Sequence, residues 1–109
     1  MIDVTLRQLE YAAAIAEYGH FGRAAEATAV SQPGISAQIR ELERRLGVTL
    51  FERAGRTTLV TPAGAEIVDR AREVLRMVQD LQLVAGSYHG VPRGVVRVGA
   101  IPTMAPYRL

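Results

Sequence analysis

The chain has 109 residues, 49% apolar and 22% charged, with a net charge of +2 and no cysteine. That size and balance support one modest folded core and exclude a disulfide framework, a Cys-ligated zinc site and thiol chemistry within these residues. The longest apolar-rich stretch, 59–85, is broken by Asp69, Arg70, Arg72, Glu73, Arg76 and Asp80, so no membrane span is expected, and the lack of cysteine agrees with the expectation of a cytoplasmic protein.

Residues 5–18 read as a helix with Thr5 as its cap, and Leu6, Leu9, Ala13 and Ala16 are expected to form the face that roofs the core. Gly19-His20 breaks it. A short Ala-rich helix, Phe21–Ala27, follows, in which Ala24 and Ala25 permit close packing, and a tight turn, Thr28–Val30, leads onward. Ser31-Gln32-Pro33 then gives an N-cap followed by a first-turn proline. In the helix that follows, Ile35, Ile39, Leu42 and Leu46 recur at i, i+4, i+7 and i+11, which marks a core-facing stripe. The opposite face carries Gln32, Ser36, Arg40 and Glu43, polar groups able to reach base edges or phosphates when such a helix enters a major groove. Gly47 ends the helix as a C′ residue. Together, residues 21–46 form a helix-turn-helix.

Residues 48–61 hold β-branched and aromatic positions around Ala54-Gly55, the pattern of a short hairpin, and a hairpin beside a helix-turn-helix is a wing. From Thr61 and Pro62, a second cap and N1 pair, the period changes: Ile67, Ala71, Val74, Val78, Leu81, Ala85 and Tyr88 follow a 4-3-4-3-4-3 spacing. This heptad seam predicts a helix over 62–88, about 40 Å long at 1.5 Å per residue. Val68 and Leu75 widen the stripe, so part of the helix packs on its own domain while the seam meets a second copy. After Gly86, Gly90, Pro92 and Gly94, Val95–Ile101 reads as one strand without a sheet to join, which is expected if the sequence stops just inside a second domain.

Charge by itself decides little. Residues 1–61 contain seven Arg and seven Asp plus Glu, and the bulk balance there is neutral. Locally, Arg40, Arg44, Arg45, Arg53 and Arg56 exceed Glu41, Glu43 and Glu52, a mild basic bias beside the second helix of the motif. Each arginine taken singly reads equally well as a solvated surface group. No catalytic or metal constellation is legible: His20 and His89 share no ligand spacing with a carboxylate pair, His20 fits a helix start, and the glycines lack phosphate-loop order. No enzyme activity, metal or cofactor is expected.

Residues 5–88 resemble the DNA-binding domain and linker helix of LysR-type transcriptional regulators. The resemblance is carried by Leu6-Arg7-Gln8-Leu9-Glu10-Tyr11, Phe21 with Ala24-Ala25, Val30-Ser31-Gln32-Pro33, Ile35-Ser36, Gln38-Ile39, Leu42-Glu43, Leu46-Gly47, Leu50-Phe51-Glu52-Arg53 and Thr61-Pro62-Ala63-Gly64. Within the family, His20-Phe21, Val98–Thr103 and Pro106-Tyr107 are most similar to the peroxide-sensing OxyR branch, whose defining cysteines would fall beyond Leu109. The resemblance implies a mainly α fold: a winged helix-turn-helix at 1–61, a dimerisation linker helix at 62–88, and a hinge with the first strand of a truncated α/β effector domain within 89–109. It implies an effector-responsive activator or repressor of transcription that reads an interrupted inverted repeat of double-stranded DNA as a homodimer, or as a homotetramer at full length, with RNA polymerase as a possible partner. Gln32, Pro33 and Ser36 are then the base-edge candidates, and Arg56 reaches the minor groove. Gln38, Arg40 and Arg53 are supporting contacts, unless Gln38 is merely solvated and Arg53 binds the protein's own backbone. Ala37 stands where many members have a longer polar side chain, which removes one base contact. The dimer seam is Ile67, Ala71, Val74, Val78, Leu81 and Ala85, and Thr103 matches a position near the effector pocket. The alternative from another class is a protein-interaction module, since some winged helices bind proteins and the long helix then serves only as a strap.

Overall fold

The computed structural model describes residues 2–89. Its elements are α1 (Leu6–Tyr18), α2 (Phe21–Ala27), α3 (Gln32–Leu46), a hairpin of β1 (Phe51–Ala54) and β2 (Thr57–Val60), and α4 (Pro62–His89). The expected strand at Val95–Ile101, Thr103 and all but the first residue of the expected hinge lie outside the described residues. By its contacts the chain divides after Arg76 into one unit holding α1 to β2 with the first part of α4, and a second beginning at Met77. No helix among the described residues is long and apolar enough to cross a membrane.

The helix boundaries follow from local chemistry. Thr5 and Gln8 form a capping box at α1, Thr5 Oγ1 accepting from the Gln8 N–H and Gln8 Oε1 accepting from the Thr5 N–H, which satisfies two otherwise orphan donors. Gly19 stops α1 in the left-handed region at φ 64°, where a residue without Cβ costs least. Ser31 caps α3 through the Gly34 N–H, with Pro33 in the first turn, and Gly47 ends it at φ 75°. The turn between α2 and α3 places Ala29 at φ 59°, a strained setting for a residue with a Cβ. Thr61 caps α4, its hydroxyl accepting from the Gly64 N–H at 2.9 Å and donating to the Thr49 carbonyl at 2.6 Å.

The core of the first unit is one cluster drawn from every element of that unit except β2: Tyr11, Ala12 and Ile15 of α1, Phe21, Ala24 and Ala25 of α2, Ile35, Ile39 and Leu42 of α3, Leu50, Phe51, and Val68 of α4. The stripe expected on α3 is therefore buried except at Leu46, which remains 38% exposed beside the C-cap. On α1 the expected face is corrected. The side buried in the core is Gln8, Tyr11, Ala12 and Ile15; of the expected face only the half-buried Ala16 packs against that core, whereas Leu6 is 46% exposed and Leu9 and Ala13 are half-buried at its edge. A polar Gln8 concealed the true stripe, and it tolerates burial because its side-chain amide is hydrogen-bonded at both ends, Oε1 accepting from the Thr5 N–H and Nε2 donating to Gln38 at 3.2 Å; a buried polar group costs little when it is hydrogen-bonded.

The hairpin pairs Phe51 with Val60 through Ala54 with Thr57, leaving Gly55-Arg56 as a two-residue turn. Gly55 adopts φ 63°, as expected at the first central position of a II′ turn, whose twist matches that of the flanking strands. A hydrogen bond from the Thr58 N–H to the Gly19 carbonyl, 3.2 Å, ties the hairpin to the α1–α2 turn.

Candidate nucleic-acid interface

Gln32, Pro33 and Ser36 occupy the first turns of α3, with Gln32 and Pro33 exposed and Ser36 half-buried. Gln32, Ser36 and Arg40 are spaced by four residues and share one face of the helix. Arg56 stands across from them at the tip of the hairpin. Between helix and tip lies a cleft of about 320 Å³ lined by His20, Phe21, Gln32, Arg53, Gly55, Arg56, Thr57 and Thr58. The structure thus brings Gln32, Arg53 and Arg56, residues far apart in sequence, to one groove, while Pro33, Ser36 and Arg40 continue the same surface along α3.

Two expected site residues are held by the protein itself. Arg53 does not bind backbone: its guanidinium donates to Ser36 Oγ at 3.1 Å and lies over the Phe21 ring, 4.3 Å from the centroid. Phe21 is in turn fixed edge-to-face by Phe51, with ring centroids 6.2 Å apart. Gln38 projects toward α1, where its Oε1 accepts from Gln8, so it lies off the Gln32–Ser36–Arg40 face. Ala37 is exposed and adds no polar group.

Glu43 also departs from the sequence reading, which placed it on the outward polar face. Its Oε2 accepts from the Leu50 N–H at 2.7 Å and the Phe51 N–H at 3.2 Å. The carboxylate closes the turn between α3 and β1 and fixes where the wing begins. The physical reason is the tight turn at Gly47, which folds the start of β1 back over the last turn of α3, whose carbonyl at Glu43 already accepts from the Gly47 and Val48 N–H groups.

The basic bias divides in two. Glu41 bonds both Arg44 and Arg45, with Arg45 Nε at 2.7 Å, and Arg45 also donates to the Asp3 carbonyl. The guanidinium of Arg44, then that of Arg45, holds the Glu41 carboxyl down to about 2, and Glu41 raises Arg44 in return. Those two arginines are spent within the protein. Among the described residues, no carboxylate lies in ion-pair distance of Arg23, Arg40, Arg53 or Arg56, so the uncompensated positive charge gathers around the cleft and the exposed face of α3. His20, at the cleft wall, is the N-cap of α2, its Nδ1 accepting from the Arg23 N–H at 3.1 Å.

On α4, Ile67 packs against the core and Ala71 is 2% exposed, so both belong to their own unit. Val74 is 40% and Leu81 66% exposed, Val78 is half-buried, and Ala85 is exposed. Met77, Leu83, Val84 and Tyr88 add further exposed apolar surface on the same helix. Sequence reasoning missed Phe21 as the platform for Arg53 and Gln8 as the partner of Gln38; the only available signal was a polar residue inside an otherwise apolar helix stripe.

An exposed polar helix start, a basic-tipped hairpin and a cleft between them define a winged helix-turn-helix of the DNA-binding kind. The model of bacterial regulatory helix-turn-helix proteins of the lysR family matches residues 6–65, and the chain belongs to that family, one of transcriptional regulators and not of enzymes. It is 48% identical over 106 residues, 97% of its length, to the DNA-binding transcriptional dual regulator OxyR of Escherichia coli K12, and 46% identical over 105 residues to a probable hydrogen peroxide-inducible genes activator of Streptomyces viridosporus. It spans about a third of each, 35% and 34%. Among solved structures, the DNA complex of the CbnR DNA-binding domain superposes with a TM-score of 0.75 at 36% identity, covering 80% of this chain and 100% of that one. A full-length OxyR variant from Pseudomonas aeruginosa gives 0.73 at 42% identity, covering 76% and 28%.

Proposed function

We propose that this chain is the DNA-reading part of a transcriptional regulator that responds to oxidative stress, working in the cytoplasm as a homodimer on an interrupted inverted repeat. The observation that carries the reading is the joint presentation of Gln32, Pro33 and Ser36 at the start of α3 with Arg56 on the wing, across an open cleft without a competing carboxylate. In this reading α3 enters the major groove, where the Gln32 amide pairs with an adenine edge and Pro33 meets a thymine methyl. Arg40 serves phosphates and Arg56 the flanking minor groove. Residues 1–61 form the reading head. The seam along 62–88, of which Val74, Val78, Leu81 and Ala85 retain surface to offer, joins two heads, while Ile67 and Ala71 root the helix in its own unit.

The peroxide response is supported by the names of the relatives. The 109 residues contain no cysteine, so a thiol switch would not be carried by them; effector contact through Thr103, assembly into a homotetramer and contact with RNA polymerase belong to the whole protein and are part of the proposal. The test is selection of binding sites from a random duplex library, followed by affinity measurement with Gln32→Ala and Arg56→Ala. Gln32→Ala should cost about 1–3 kcal/mol on the selected site and almost nothing on unrelated DNA. Arg56→Ala should lower the log-affinity against log-salt slope by about one. Equal losses on both DNAs for Gln32→Ala would sink its base-reading role, and no enriched sequence at all would favour the protein-interaction reading.

A further inference from the structure

Ser36 is the one base-edge candidate whose side chain is already engaged, and the group that engages it is a cation. A serine hydroxyl has one proton to donate and two lone pairs; a guanidinium has only donors. With the Arg53 guanidinium donating to Oγ at 3.1 Å, one lone pair is filled. The positive charge also orients the hydroxyl dipole, oxygen toward the guanidinium and proton away from it. The guanidinium cannot turn aside easily, because its face rests on Phe21 at 4.3 Å and Phe21 is pinned by Phe51. Phe21 and Phe51 are themselves buried, 8% and 7% exposed, so the platform under the exposed Arg53 side chain is set before any DNA arrives and favours the Ser36 contact.

We infer that Arg53 is a specificity-determining residue acting through Ser36: with one hydroxyl lone pair taken and the proton turned away from the guanidinium, the pair presents a donor-biased edge to the groove, favouring bases that offer acceptors over cytosine. In the major groove guanine offers O6 and N7, adenine N7 and thymine O4, whereas cytosine offers only its N4 donor. Arg53 is a positioning residue here, touching the hydroxyl that touches the base. The inference rests on the reading that the start of α3 enters the major groove, and it adds which base chemistry Ser36 accepts and what imposes it. It also gives the wing a second role, since β1 carries the group that tunes α3.

The experiment uses the 109-residue chain and a half-site obtained by selection, with every position replaced in turn by all four base pairs. Ser36→Ala identifies the position that Ser36 reads, as the one where the spread of affinities among the four pairs collapses. At that position Arg53→Met should reduce the spread from about tenfold to under threefold, and the double variant should add nothing further. Arg53→Lys, which keeps a cation and a donor, should retain most of the spread; circular dichroism confirms folding of each variant, and the lysine variant carries the test should the methionine variant unfold. The inference is overturned if Arg53→Met or Arg53→Lys weakens all four pairs equally and lowers the salt slope, since Arg53 would then be a phosphate contact. A preference for cytosine at that position overturns it as well. If Ser36→Ala alters no position while Gln32→Ala does, Ser36 reads no base and the inference fails while groove entry stands; if neither does, groove entry itself fails.

Discussion

Replacing Glu43 with alanine separates two accounts of the same residue. If its carboxylate faced outward with Gln32, Ser36 and Arg40, removing it would leave stability unchanged and strengthen DNA binding by relieving repulsion of phosphates. In the structure it instead accepts from the N–H groups of Leu50 and Phe51 at 2.7 and 3.2 Å, and those residues are 0% and 7% exposed. Hydrogen bonds to a charged acceptor contribute about 1.5–3 kcal/mol each, and a buried donor left unpaired costs about 1–3 kcal/mol. Because one oxygen serves both donors and solvent reaches the site in part, the combined loss for Glu43→Ala is about 2–4 kcal/mol, a large share of the about 5–15 kcal/mol that holds a typical domain. That corresponds to a fall in Tm of about 10–25 °C for a unit of this size. Glu43→Gln, which keeps one acceptor and loses the charge, should fall roughly half as far. Thermal melting followed by circular dichroism measures both, and affinity for a selected site should drop with the stability as the start of the wing loosens. A Glu43→Ala Tm within about 2 °C of the parent, smaller than one ordinary hydrogen bond would give, together with tighter DNA binding, would refute the reasoning.

Gly64→Ala should lower Tm by about 5–15 °C, because a Cβ there meets the Leu50 carbonyl, with its carbon at 2.9 Å, and the clash outweighs alanine's better helix propensity; melting at or above the parent Tm would mean that α4 and the Leu50 segment give way freely. Glu41, held down to about 2 by Arg44 and Arg45, contributes stability that is complete above the ordinary value of 4.5 and is lost as pH falls toward 2. The Tm difference between parent and Glu41→Gln should therefore be small but constant near neutrality, shrink across that acid window and weaken in high salt, as an exposed ion pair must; a difference that grows on acidification would contradict the assignment. Val78→Glu places a charge in the proposed dimer seam, and sedimentation should show a shift toward monomer with a loss of avidity for paired half-sites of about 10²–10⁴; an intact dimer would move the contact elsewhere.

The parts of this fold that were legible in the chain are those governed by neighbouring residues. Thr5, Ser31 and Thr61 announce helix starts, Gly19 and Gly47 announce stops, and Ile35, Ile39 and Leu42 repeat with the helical period, because caps and stripes are set within a few residues. The failures share a cause in long-range pairing. Gln8 looks like a surface residue until Gln38, thirty positions away, accepts its amide. That concealment made Leu6, Leu9 and Ala13 look like the core face of α1 together with Ala16, which alone of the four packs against the core, although Tyr11 and Ile15 lay one step round the helix. Helical periodicity puts Glu43 on the outward face, and the resemblance offers Arg53 either as a supporting DNA contact or as a ligand of the protein's own backbone; neither says that a hydroxyl or a pair of backbone N–H groups waits across a turn. The positions of Gln32, Ser36 and Arg40 on one face follow from periodicity; that Arg56 stands opposite them required the hairpin, its Gly55 turn and the Thr58–Gly19 tether.

Three elements that serve the proposed function meet at the single residue Leu50. Its N–H is held by Glu43 from the end of α3. Its carbonyl accepts from the Thr61 N–H at 3.0 Å, immediately before α4, and that same carbonyl lies so near Gly64 that no side chain fits between them. Its own side chain is fully buried and leads directly into β1. The recognition helix, the wing and the root of the long helix are thus joined through backbone hydrogen bonds and a close approach, and packed cores and short hydrogen bonds deform little. Within the first unit, the orientation of α3 and of the wing relative to the root of α4 is therefore set through Leu50.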